Sequence, residues 1–359
     1  MGKINVAILY GGRSVEHAVS VNSAKNIFEF IDRKKFNPIP IGITQKGKWH
    51  LTKDVNKNIQ KGKPLSIQLD PKNPVLKDGS KKISADVVFT LLHGTDGEDG
   101  SIQGLLKSLD LPVVGTGVLG SSLSMNKIVA KRLLREAGIP VTEFIAVNFY
   151  DAVKPSFEDI KAKLGLPFMV KSASLGSSVG VTKVNTKADF APAVEESFRY
   201  DHELLFEKYV KGREIECAVL GNGKPEASLP GEIIISKEYE FYTFDAKYVD
   251  GKAVTIDVPA KLPKAASEKI RILSVKAFQA LKCEDYARVD LFFAENTGEV
   301  YVNEINTIPG FTNSSMFPMM WKERGISFTD LITKLIHLSL ERNKLNERIQ
   351  HNFASSLKF

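Results

Sequence analysis

The sequence predicts a mixed chain, α/β in its first third and α+β thereafter, opening on a doubly wound parallel sheet. Three observations carry that expectation. An apolar run at residues 4–10 ends in Gly11-Gly12 and leads into a helical stretch at 20–31, the strand, glycine turn and helix of a parallel-sheet unit. Strand-like runs at 37–43 and 86–92 repeat the theme, each ending in a Gly- or His-containing loop where α/β sheets bind ligands. From about residue 121 onward, closely spaced strand patterns replace the strand–helix repeat.

Taken in order, residues 52–82 are rich in Lys, Pro, Asp and Asn with weak periodicity, which reads as a surface excursion rather than core. A helix is expected at 128–137, closed by Gly138 and a Pro140 turn. Strands follow at 167–171, 179–184, 204–209, 214–220 and 231–236. After a helix at 264–281, strands at 287–294 and 300–306 form a hairpin through a Glu-Asn-Thr-Gly turn. A last helix at 328–342 leads into a polar, basic tail. The expected division is 1–122, 123–212 and 213–342, with 343–359 as the tail.

At 359 residues the chain exceeds one ordinary core, and 43% hydrophobic with 25% charged residues is the composition of a folded globular protein. A net charge of +7 favours anionic partners. The lysines are scattered and no arginine stripe appears, so phosphate-bearing substrates are expected rather than nucleic acid. Cys217 and Cys283 have no metal or CxxC spacing and read as buried free thiols. With no long apolar segment and no leader pattern at residues 1–10, a cytoplasmic protein without membrane contact is expected.

The strongest chemical pattern lies on the closing hairpin. Arg288 and Asp290 are two residues apart, as are Glu304 and Asn306, so each pair shares one face of its strand. Facing strands bring Asp290, Glu304 and Asn306 into an all-oxygen cluster suited to Mg²⁺ carrying phosphates, with Arg288 beside it to stabilise negative charge. Read alone, the pattern also suits the polar face of a half-buried hairpin. Lys171 ends a strand and precedes a Gly/Ser loop at 172–180, where backbone amides and an ammonium can hold phosphates; a structural turn is the alternative. Lys127 begins its helix and reads individually as a solvated lysine. In the turn after the first strand, Glu16 can pair with a substrate ammonium or serve a helix N-terminus. His93, at another strand end, can meet a substrate carboxylate or be a satisfied structural group.

In this order the segments GGRSVEHAVSVNSA (11–24), LLHGTDGEDGSIQG (91–104), MNK (125–127), VKSASLGSSVGV (170–181), FEKYVKGRE (206–214), FYTFDAKY (241–248), RVD (288–290) and NEINTIPGFTNSSMFP (303–318) resemble the D-alanine–D-alanine ligase family of the ATP-grasp superfamily, from about residue 4 to 342. The resemblance implies a nucleotide clamp of two α+β subdomains behind the N-terminal domain. It implies that Lys127 and Lys171 hold ATP phosphates, that Glu207, Lys208 and Val210 border adenine, and that Glu214 meets ribose. Two Mg²⁺ ions, or Mn²⁺, fall to Asp290, Glu304 and Asn306. Glu16, Ser177 and Tyr248 form a network at the first D-alanine; Ser315 and Met316 lie near the second. Arg288 and the Gly310 amide face the oxyanion, and Lys247 reaches the transferred phosphate from a covering loop. A homodimer is implied on the same basis. Two positions depart from the family pattern: Ser172 stands where proline is common and Thr243 where aspartate is usual.

The rival within this fold is a ligase forming D-alanyl-D-lactate or D-alanyl-D-serine, and Tyr248 argues against lactate by the same resemblance. An oxidoreductase reading fails for want of G-x-G-x-x-G and leaves the acidic hairpin unexplained. A catalytically silent module sits poorly with retention of the lysines, the acidic hairpin and Arg288.

Overall fold

The computed structural model describes residues 2–70, 75–79, 81–236 and 254–350. Strand β1 (Ile4–Gly11) is the centre of the first layer, pairing in parallel with β2 (Phe36–Ile43). Short strands β3 (Trp49–Leu51) and β4 (Lys63–Pro64) extend that edge antiparallel. A separate antiparallel sheet follows, made of β5 (Ser66–Gln68), β6 (Val75–Asp78) and β7 (Lys81–Ile83). On the other side of β1, β8 (Val87–Thr90) and then β9 (Val113–Val114) complete the parallel part. Val6, Ile8 and Tyr10 enter one core and Ala7 and Leu9 another, so β1 is covered on both faces and reads as a continuous apolar run. The expectation of a coreless excursion at 52–82 is corrected here. Val55, Ile59 and Leu76 are all buried, isolated apolar residues among polar ones that tertiary packing gathers.

Helix α1 (His17–Phe30) starts three residues before the expected position, directly after Glu16. Three elements were not foreseen in the connecting region: α2 (Ser101–Ser108), β9 and α3 (Val118–Met125). Helix α4 (Lys127–Glu136) is capped by the Asn126 side chain, which accepts from the amides of Ile128 and Val129.

The central sheet, in order, is β10 (Phe144–Asn148), β13 (Glu203–Lys208), β11 (Phe168–Ser172) and β12 (Val181–Val184), wholly antiparallel. It packs against α5 (Phe157–Leu164) and α6 (Lys187–Phe198) through its own aromatic core of Phe157, Phe168, Phe190 and Phe206. The third sheet runs β17 (Val254–Asp257), β16 (Gly231–Ile235), β14 (Arg213–Leu220), β18 (Tyr286–Ala294), β19 (Glu299–Asn306), with β15 (Glu226–Ala227) beside β14. Helix α7 (Lys264–Ala280) covers one of its faces.

The chain then returns to the first layer. Helices α8 (Met316–Glu323) and α9 (Phe328–Asn346) place Phe317, Trp321, Leu331 and Leu335 in the same core as Ile8, Phe36 and Phe89. Arg342 fastens the join, donating to the carbonyls of Val113 and Gly115 and pairing with Glu284 and the fully buried Asp285. Asp285 in turn accepts from the Gly115 amide, 2.9 Å away. Residues 343–346, expected in the tail, continue this helix.

Candidate functional site

The central sheet supplies a cationic wall. Glu207 on β13 lies opposite Met169 in register, so its side chain and that of Lys171 share one face. The fully buried Glu207 carboxylate receives Lys171 Nζ at 2.5 Å on one oxygen and Lys131 Nζ, rising from α4, at 2.5 Å on the other. Thr142 completes the cluster: its hydroxyl accepts from Lys131 Nζ at 3.1 Å and donates to Glu207. Burial pushes the Glu207 carboxyl up, but the two ammonium groups outweigh it and hold it at about 2. Lys208, Val210 and Glu214 line the adjoining cavity of about 410 Å³.

The third sheet supplies the opposing wall. Across β14, β18 and β19 the register aligns Glu216, Asp290 and Glu304 in one row, and Ala218, Arg288 and Asn306 in the next. A bulge falls between Asp290 and Leu291, where the pairing skips Asn303. Val300, Val302 and Ile305 mark it in the sequence: buried residues two apart become three apart as the strand changes phase. The extra residue, Asn303, accepts from Lys171 at 3.3 Å. Arg288 grips Asp290 with two bonds of 2.7 Å and pairs with Glu216 at 3.0 Å. Two carboxylates thus meet one guanidinium, and Lys127 approaches a third, Glu304, at 3.5 Å. Among the described residues no three His, Cys, Asp or Glu side chains converge as a ready metal cage. The donor set is nonetheless all oxygen with an excess of negative charge, which suits Mg²⁺ whose shell is completed by phosphate and water.

The N-terminal sheet provides the mouth. Glu16 precedes α1 and its carboxylate is wedged between two glycines: a Cβ on Gly94 would come within 2.6 Å of Oε2, and one on Gly176 within 3.1 Å. Ser177, held at φ +55° and followed by Ser178 at +58°, donates its hydroxyl to Glu16. Lys127 fixes the start of the same loop through the Leu175 carbonyl, 2.6 Å away. Ser172, in the proline position of the family pattern, donates to the Ser197 carbonyl at 2.9 Å. His93 is buried, 3.1 Å from Ser23 and 3.6 Å from Glu98. Burial lowers the imidazole, yet Glu98 and Glu16 outweigh it and the net direction is up. Glu98 is pushed up to about 7 by burial, against the opposing pull of His93. Gly310, Ser315 and Met316 border this second cavity of about 370 Å³ with Glu16 and His93. Ser315 Oγ accepts from the Thr312 amide at 3.0 Å, and Met316 packs so closely on Gly231 that a Cβ there would meet its sulfur at 2.7 Å. The two cavities share a rim that includes Lys127, Gly176, Ser177, Glu216, Arg288 and Glu304.

Family models for the N-terminus and the C-terminus of D-ala D-ala ligases match residues 5–116 and 133–337. The chain belongs to the D-alanine–D-alanine ligase family. The D-alanine–D-alanine ligase A of Chromobacterium violaceum is 45% identical over 366 residues, covering 98% of this chain and 99% of that protein. The Escherichia coli ligase A is 43% identical with the same coverage. Among solved structures, the family member from Coxiella burnetii superposes with a TM-score of 0.87 at 38% identity over 97% of each chain. The VanG D-Ala:D-Ser ligase of Enterococcus faecalis gives 0.86 at 35% identity, covering 94% of this chain and 100% of that one. The Bacillus anthracis ligase complexed with ATP gives 0.73 at 28%, covering 96% and 100%. The fold is therefore the ATP-grasp fold of this family.

Of the residues singled out from the sequence, Lys247 and Tyr248 lie outside the described residues, as does Thr243. The others named for substrate, nucleotide or metal all line one or both cavities; of the three metal candidates Glu304 borders both, Asp290 only the first and Asn306 only the second. Sequence reasoning missed Glu216, Glu98, Lys131 and Thr142. Glu216 carried a faint signal, alternating with Ile215 and Cys217 in phase with Glu214. No helix among the described residues is long and apolar enough to cross a membrane.

Proposed function

We propose that this enzyme joins two D-alanines into D-alanyl-D-alanine at the shared rim of the two cavities, consuming ATP and releasing ADP and phosphate. The reaction feeds peptidoglycan precursor synthesis. The rim carries the reading: Lys127, suited to phosphate, and Glu304, suited to a phosphate-bound cation, share it with Ser177, whose hydroxyl holds Glu16, suited to an amino acid's ammonium. A carboxylate held there meets the terminal phosphate of a nucleotide in the larger cavity.

In the first step a carboxylate oxygen of D-alanine attacks the γ-phosphorus and the bond to ADP breaks, giving an acyl phosphate. Glu16 holds the ammonium of that D-alanine, with Ser177 fixing the Glu16 carboxylate. Lys127 and Lys171 offset charge on the phosphates, Glu207, Lys208 and Val210 border adenine, and Glu214 accepts from ribose. Asp290, Glu304 and Asn306 would hold two Mg²⁺ or Mn²⁺ ions, whose chemistry is neutralisation of phosphate charge. In the second step the amine of the other D-alanine, positioned by His93, Ser315 and Met316, attacks the acyl carbon. Arg288 and the Gly310 amide stabilise the resulting oxyanion; the amine loses its proton and phosphate departs. Lys247 and Tyr248 belong to the segment assigned to cover the site, excluding water from the acyl phosphate. A cytoplasmic homodimer built from the three expected units completes the proposal, and sedimentation of the purified protein tests the dimer.

The test of the reaction is phosphate release by purified protein with ATP and Mg²⁺, with products identified by mass. Release that requires D-alanine and yields its dipeptide supports the reading. Silence with D-alanine overturns it. A mixed product in the presence of D-lactate or D-serine would move the enzyme to the rival specificity.

A further inference from the structure

Lys131 has no place in the reaction just described, yet it is a charged side chain only 1% exposed, reached from α4 and ending 2.5 Å from Glu207. Burying an ammonium is costly unless a carboxylate matches it, and a buried pair of this kind is weak evidence for stability alone. The arrangement is not a pair, however. Glu207 is shared, one oxygen to Lys131 and the other to Lys171, so two cations contest one anion. Without Lys131, the charge of Lys171 would be spent on Glu207. With Lys131 present the cluster carries one surplus positive charge, and of its two lysines only Lys171 lines the cavity, beside Glu207.

We infer that Lys131 is a positioning residue for the nucleotide: by neutralising Glu207 from behind, it leaves the charge of Lys171 available to the polyphosphate. The inference rests on the assignment of the larger cavity to ATP. Lys131 itself touches no substrate. Thr142 orients the pair without altering its charge, since its hydroxyl bridges Lys131 and Glu207. Attraction between Glu207 and a phosphate-bound Lys171 persists in either case; what Lys131 changes is the net charge that phosphates meet.

The readout is the ratio of ATP affinity to adenosine affinity, measured by calorimetry on the full-length protein with Mg²⁺. Lys131→Met is expected to lower that ratio about tenfold, the order expected when one nearby charge is removed from a partly solvated phosphate site. The KM for ATP should rise by a similar factor with little change in kcat. Lys131→Met combined with Glu207→Gln removes one charge of each sign, so the ratio should return to the wild-type value even if adenosine itself binds more weakly. Thr142→Val should lower the melting temperature and leave the ratio alone. A folded Lys131→Met protein with an unchanged ratio overturns the inference. So does a double variant that stays tenfold low, and the double variant carries the test should the single one not fold. Lys171→Met separates this from failure of the site assignment: if that variant keeps the wild-type ratio, the cavity is not the phosphate site at all.

Discussion

The two walls of the cleft differ in both charge and anchorage. On the central-sheet side Lys171 and, from α4, Lys131 surround one glutamate, whereas the third sheet aligns three carboxylates in a row, two of them paired with one arginine. The first wall has surplus positive charge to offer phosphate directly; the second has surplus negative charge and reaches phosphate only through cations. Their foundations differ in parallel. The central sheet rests on its own aromatic core, while buried residues of the third sheet, Ala218, Leu220 and Tyr286 among them, sit in one core with the N-terminal sheet. One wall thus has a core of its own, joined to the rest through Ile128 of α4, and the other is part of the molecule's base.

The sharpest way to break this contrast is Glu304→Gln. If the acidic row works through cations, kcat should fall on the order of 1000-fold with the melting temperature unchanged, because charge stabilisation at a transferring phosphoryl group is lost. A fully active variant would remove the acidic wall from the chemistry. The separateness of the cores is tested by Phe206→Ala, expected to cost about 3 kcal/mol. An early urea transition confined to the central sheet, seen by hydrogen exchange, is the expected outcome; uniform destabilisation of all three sheets would show that the cores are coupled.

A smaller effect concerns the base. With its carboxyl raised to about 7, Glu98 keeps a proton in the folded protein that the unfolded chain releases near its ordinary value of 4.5. Its contribution to stability is therefore complete below the unfolded value and lost as pH rises through about 7, and the raised His93 imidazole has the same sign. Glu98→Gln removes the first contribution and weakens the second. Urea melts between pH 5 and 8 should show the variant gaining on the wild type as pH rises, by about 2 kcal/mol. Parallel curves would exclude this pair from the pH dependence. The smallest change is Ser172→Ala, which deletes the hydroxyl bond to the Ser197 carbonyl and should cost about 1 kcal/mol, with turnover retained. A large loss of turnover would mean that the Ser172 hydroxyl stiffens the phosphate loop beyond that one bond.

Legibility of these features followed the range of the interactions that make them. The face shared by Arg288 and Asp290 was readable because strand alternation is local, and the bulge at Asn303 was readable in principle from the spacing of Val302 and Ile305. Strands β11, β13, β14, β18 and β19 lie within a residue or two of their expected positions for the same reason. Lys131 was not readable: on its helix it looks like any solvated lysine, and its partner is 76 residues away. Helices α5 and α6 were missed although Ser156 and Thr186 head capping boxes, since both helices are short and α6 contains Pro192. Glu98 looked like one acidic loop residue among several, and only the fold shows that it is set against His93.

The strap made by Arg342 bears on the order in which a growing chain can become stable. The edge strand it binds, Val113–Val114, and the apolar faces of β1, β2 and β8 leave the ribosome early, yet Leu331, Leu335 and Arg342 follow much later, Arg342 229 residues after Val113. Until they arrive, one face of the N-terminal sheet is covered only in part, by α1 and the residues around Val55 and Ile59. The layer synthesised first is finished last, so a chain cut short before α9 lacks the stable base on which the cleft is built.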